Sequence, residues 1–214
     1  MILAQGAHIR EELRDHIPYS VGSVLFGMLV LGSLSFIVGR FWGQGTIANL
    51  TAILFHLFHP SHVFFSASTT TEMFWRHERN VIKLFGIAVL GGVVPCILSD
   101  VLMPYLGGRL LGIPMLFHFD FELHPFWMTL VVLSGMTAGI FIVGRLEHST
   151  IFSHSFHVFI STMATFLYLV SYGFSNWSNY LFFLAFIGIL SVILPCCLGD
   201  IVVPHLFTTK GHRH

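Results

Sequence analysis

Charge is scarce in this sequence. Asp, Glu, Lys and Arg make up 9% of its 214 residues, against about a quarter in a typical globular domain, which is too little to solvate a surface in water. Ten Lys and Arg face ten Asp and Glu, so no basic field exists for nucleic-acid phosphates. The three cysteines, Cys96, Cys196 and Cys197, lie inside apolar runs. They form neither a disulfide framework nor a CxxC pair and read as small buried residues. His-Glu-x-x-His, Gly-x-Ser-x-Gly and Walker-type loops are all missing, and no polar stretch is long enough for a separate soluble domain. These absences exclude a soluble enzyme, a disordered tail and a nucleic-acid binder.

What the chain has instead is apolar length. Residues of the set AVILMFWYC make up 55%, twenty-three of them Phe, and mean hydropathy is +0.81. A bilayer-crossing helix needs about 20 mostly apolar residues. Six stretches qualify, at 21–40, 47–70, 81–105, 126–145, 150–172 and 180–207, so the expected fold class is an all-α integral membrane protein in a lipid bilayer. Residues 1–20 place Ile2, Leu3, Ile9, Leu13 and Ile17 among charges, which suits a short amphipathic helix on the membrane surface. Pro18 punctuates the entry to the first span. The late start of the first apolar run argues against a cleavable signal peptide. With the N-terminus inside, Arg10, Arg14, Arg76, Arg79, Lys83, Arg145, Lys210 and Arg213 fall on the cytoplasmic side and only Arg40 and Arg109 outside. Eight against two places both termini in the cytoplasm.

The halves of the chain repeat one another. Glu12-Leu13, His16, Pro18 and Tyr19 match Glu122-Leu123-His124-Pro125-Phe126, and Phe36-Ile37-Val38-Gly39-Arg40 recurs unchanged at Phe141–Arg145. The segment His59–Ser66 matches His154–Ser161. Pro95-Cys96 matches Pro195-Cys196, and Asp100, Pro104 and Leu106 match Asp200, Pro204 and Leu206. Five matches in one order point to duplication. Three spans per half, an odd number, make the copies enter from opposite sides, giving an inverted-topology 3+3 repeat. The expected divisions are an interfacial segment at 1–20, a first repeat at 21–110, an outer loop at 111–125, a second repeat at 126–207 and a cytoplasmic tail at 208–214.

The repeat selects the residues that carry chemistry. Both halves keep His59 with His154, His62 with His157, and Asp100 with Asp200, accompanied by Ser66 with Ser161 and Thr70 with Thr165. Ionisable groups inside a bilayer are costly unless paired or hydrated, and so mark function. His-x-x-His puts two imidazoles on adjacent turns of one helix face. Two such pairs and two carboxylates are a donor set for Zn, Fe, Mn, Co or Ni rather than for Ca or Mg. A secondary set lies in the outer loop, where His118, Asp120, Glu122 and His124 alternate with apolar residues. In extended backbone that period puts all four on one face, as a capture site for a divalent cation.

The expected function is transport of divalent transition-metal cations through the His/Asp set at the interface of the two repeats. Imidazoles release metal when protonated, which makes proton exchange a natural coupling. Two alternatives share these residues: a membrane-embedded metalloenzyme, with Asp100 or Asp200 as general base, and an electron carrier with haem on paired histidines. His-x-x-His on one helix suits haem poorly. Much apolar surface remains on so small a bundle, for lipid or for a second copy in a homodimer.

Overall fold

A backbone wrapped in apolar side chains has few outside partners, so its N–H and C=O groups pair within their own segment, and helix is the local answer. The computed structural model bears this out: every regular element among the described residues is helical. The structure describes the backbone of residues 2–43, 45–143, 150–174 and 176–197, and side chains from Ile17 onward except at 44, 77, 144–155, 175, 194 and 196–214.

Helix α1 spans Ile2–Phe41 and α2 spans Gly45–His77. Helix α3 is Val81–Leu110, α4 is Pro125–Ile142 and α5 is Thr150–Tyr172. Helix α6 is Leu181–Ser191, followed by a π-helical stretch at Val192–Cys197. Among the described residues, three segments are long and apolar enough to cross a membrane: Ile17–Phe41, Val81–Leu110 and Pro125–Ile142. The stretches expected at 150–172 and 180–207 contain the shorter apolar helices Phe156–Tyr172 and Trp177–Ser191, and residues 198–207 lie outside the described ones. Helix α2 is long, but its histidines and hydroxyls keep it below that apolarity.

Pro18 does not punctuate the chain. Helix α1 runs through it, because a break in an apolar setting would strand several backbone groups whereas a proline removes only one donor. Helix α3 begins at an N-cap, where Asn80 Oδ1 accepts from the Ile82 and Lys83 N–H groups at 3.1 and 3.2 Å. Asn80→Ala is expected to cost about 1 kcal/mol. In thermal unfolding of the detergent-solubilised chain this should read as a drop in Tm of about 2–4 °C.

Large apolar side chains face outward and polar ones inward. Phe36, Ile82 and Phe182 are 75%, 88% and 87% exposed, while His59, His62, Thr71, Asp100 and Thr165 are buried. Helix α2 packs between α4 and α5, α3 lies across α2 and α5, and α1 lies on α5 and α6. Two apolar clusters form. One gathers Leu31, Phe55, Phe166 and Leu184; the other gathers Val63, Phe74, Leu84 and Met136.

Backbone approach is closest between α2 and α4. A Cβ on Gly135 would lie 2.5 Å from the Phe64 carbonyl oxygen, and one on Gly139 would lie 2.4 Å from that of Ser68. The two glycines form a Gly-x-x-x-Gly stripe, the spacing that lets helices meet backbone to backbone.

Helix α3 is not uniform. π-helical stretches at Ala88–Val93 and Leu98–Leu102 flank the turn that holds Pro95. Pro104 has no N–H to give the carbonyls one turn back, and the Ser99 carbonyl instead accepts from Thr165 Oγ1 at 3.1 Å. Ser66 Oγ donates to the Gly92 carbonyl at 3.2 Å. Hydroxyls of α2 and α5 thus stitch the irregular α3 to the middle of the molecule, where π turns commonly mark functional positions.

Candidate functional site

Asp100 sits on the second π turn of α3 and is fully buried. Its Oδ2 accepts from His59 Nδ1 at 2.9 Å and from His62 Nδ1 at 2.8 Å. Its Oδ1 accepts from Ser99 Oγ at 2.6 Å and from Ser161 Oγ at 3.4 Å. Across the interface between α2 and α5, His62 Nε2 lies 2.9 Å from His157 Nε2. Four of the six residues selected by the repeat, His59, His62, Asp100 and His157, therefore meet in one buried network. The side chain of His154 and all of Asp200 lie outside the described residues.

The carboxylate sets the tautomers. An ionised Asp can only accept, so both Nδ1 atoms carry hydrogen and each neutral imidazole presents an Nε2 lone pair. His62 uses its lone pair to accept from His157. His59 Nε2 is buried with no hydrogen-bond partner among the described residues, and its ring is stacked on Phe55 at 5.3 Å and 7°. Metal-bound histidines characteristically donate their other N–H to a carboxylate, which fixes the ring and raises its basicity. With both oxygens engaged by four donors, Asp100 suits that orienting role better than the role of a further ligand.

A second cluster lies at the end of α2 nearer the 111–124 segment. Asp120 Oδ1 is 2.9 Å from His118 Nε2 and 3.1 Å from His56 Nδ1, and the three residues offer ligand atoms all within 4.8 Å of one another. The segment is tied down from α5: Tyr168 Oη accepts from the His118 N–H and donates to the Leu116 carbonyl, each at 3.2 Å. The His118 ring stacks on Tyr172 at 4.5 Å and 12°. Burial lowers the pKa of the His118 imidazole from its ordinary value, with Asp120 pulling the other way.

Of the four residues expected in this loop, His118 and Asp120 come together, and His124 lines the same cleft. Glu122 does not join them; it is exposed. The extended run ends at Phe119, because the Leu123 and His124 N–H groups bond to the Phe119 and Asp120 carbonyls and close a helical turn at Asp120–Leu123. Positions 120 and 122 then point to different sides. His56 was not among the expected residues. Its signal was the three-residue spacing His56, His59, His62 along one helix.

No protein-family model, curated protein or solved structure matches this chain.

Proposed function

We propose that the chain is an integral membrane protein of six spans, built as two inverted three-helix repeats, that transports divalent transition-metal cations through the His/Asp network between them. The observation that carries this reading is the contact between His62 and His157. These residues are mates in the sequence repeat, and mates meet each other only at a symmetry axis. Part of the packing supports the same reading. Helices α2 and α5 touch; α2 with α4 corresponds to α5 with α1, and α2 with α3 corresponds to α5 with α6. An inverted repeat suits transport because its halves can exchange conformations and open a central site to either side. The donor set is rich in imidazole and orients neutral nitrogens toward one another, as a first-row divalent ion requires. Such ligands bind metal only when deprotonated, so the ion competes with protons at this site.

The test is uptake of Co²⁺ or Zn²⁺ into proteoliposomes, read with an entrapped metal-sensitive dye. His62→Ala and His157→Ala are each expected to lower the initial rate tenfold or more while the chain remains monodisperse. Wild-type rates in both variants would remove the site from the transport path. Metal analysis of the same samples separates transport from the other uses of these residues, since a haem carrier would show an iron-dependent Soret band that the variants lose.

A further inference from the structure

His56, His118 and Asp120 stand apart from the buried network. His56 and the nearest member of that network, His59, are three residues apart on α2, about 4.5 Å along the helix axis, and a different carboxylate holds each cluster. The cluster borders a cleft of about 290 Å³ whose lining includes His56, Asp120, His124 and Trp127. His56 has 40% of its side chain exposed, so the cleft is open to an ion from outside. Asp120 is only 2% exposed, and its Oδ2 is buried without a hydrogen-bond partner among the described residues. A carboxylate oxygen left bare in a buried position is costly, and a cation is the partner that its charge calls for.

The spacing is close to that of a metal site. Ligand atoms around a tetrahedral metal with bonds of about 2.0–2.1 Å are about 3.3 Å apart. The two imidazole nitrogens lie 2.9 and 3.1 Å from Asp120 Oδ1, and all three ligand atoms lie within 4.8 Å of one another, so a bound ion needs only a small adjustment of the rings. Two imidazoles and one carboxylate leave a fourth position open, and His124 faces the same cleft with its ring centroid 6.3 Å from that of His56. Open three-ligand sites of this kind take Zn and its neighbours and exchange their fourth ligand readily.

We propose that His56, His118 and Asp120 form a second binding site for a first-row divalent cation, separate from the central network and loaded from the cleft. Its place as a first station on the way to His59 and His62 rests on the transport reading above; its existence as a metal site does not. The assignment is tested with Co²⁺ alone, on the full detergent-solubilised chain freed of any tag, by equilibrium dialysis and absorption spectroscopy. In a His62→Gln/His157→Gln background about one Co²⁺ per chain should remain bound. Adding Asp120→Asn should weaken that binding at least tenfold. His118→Cys gives an independent signal: a thiolate-to-cobalt charge-transfer band absent from the parent protein. Equal Co²⁺ binding with and without Asp120→Asn, together with no new band from His118→Cys, would overturn the site. Normal flux in the His62/His157 variants with the cobalt results as expected would remove the central network from the transport path and leave this site standing.

Discussion

Asp100→Ala should stop metal-dependent flux, lowering it about 100-fold or more, and should also destabilise the chain. The carboxylate is the acceptor for His59, His62, Ser99 and Ser161. Removing it takes an acceptor from four buried donors; Ser99 Oγ still has the Cys96 carbonyl at 3.2 Å, and each donor left unsatisfied costs about 1–3 kcal/mol. Breaking a buried charged network by deleting one member typically costs about 3–5 kcal/mol, and loss of a carboxylate that orients metal-binding imidazoles lowers affinity about 10–100-fold. Asp100→Asn is the sharper variant. Its amide oxygen can keep both imidazole N–H groups, while its NH₂ group takes the place of Oδ1 and faces the Ser99 and Ser161 hydroxyls, which must turn to accept, and the negative charge that polarises the imidazoles is lost. Flux should fall with a smaller loss of stability. Uptake in proteoliposomes and thermal unfolding in detergent measure the two effects separately. Undiminished uptake by Asp100→Ala would show that the network is structural.

Gly139→Val is the second large effect, and it acts through helix contact rather than through the buried network. A Cβ at this position would lie 2.4 Å from the Ser68 carbonyl oxygen and 2.8 Å from Thr71 Cβ. The first of these atoms is backbone and cannot rotate away, so α4 has to back off α2. Overpacking of this kind costs about 1–3 kcal/mol and sometimes more; against a helix backbone the upper end, about 3 kcal/mol, is expected. Gly135→Val should behave alike, since its Cβ would sit 2.5 Å from the Phe64 carbonyl oxygen. Gly86→Val is the control, because nothing lies within 4 Å of a Cβ there. Melting temperatures of the three variants in one detergent decide the matter. If Gly139→Val and Gly86→Val melted together, the close approach of α2 and α4 would be in doubt.

The buried network was legible because matching the two halves of the sequence acts as a filter. Chance polar residues rarely recur in both halves, so pairing His59, His62 and Asp100 with their mates picked out side chains that share one interior. The same filter hid His56. Its counterpart at the His59/His154 offset is Ile151, so a residue used by one half alone was passed over. Glu122 failed for another reason. Alternation locates a face only if the backbone stays extended, and two hydrogen bonds after Phe119 turn it into helix. The Gly135/Gly139 stripe is plain in the sequence, but which neighbouring helix it meets is a tertiary fact. The π turns of α3 had a partial signal in Pro95 and Pro104. Proline marks where a ladder loses a donor; which hydroxyl of which neighbour replaces it is a tertiary fact.

One hydrogen atom separates the two halves of this molecule. His62 and His157 occupy equivalent places in the two sequence repeats, and their Nε2 atoms are 2.9 Å apart, a distance that holds a single hydrogen and no more. One of the two rings must own it. Asp100 claims the hydrogen on His62 Nδ1, which leaves a neutral His62 to receive and His157 to give. Two halves that match in sequence therefore differ in polarity at the point where they meet, and exchanging their parts takes more than that one hydrogen: the ring that receives it must give up its Nδ1 hydrogen and the ring that gives it must gain one. The direction in which the pair is polarised is a property that neither ring has alone.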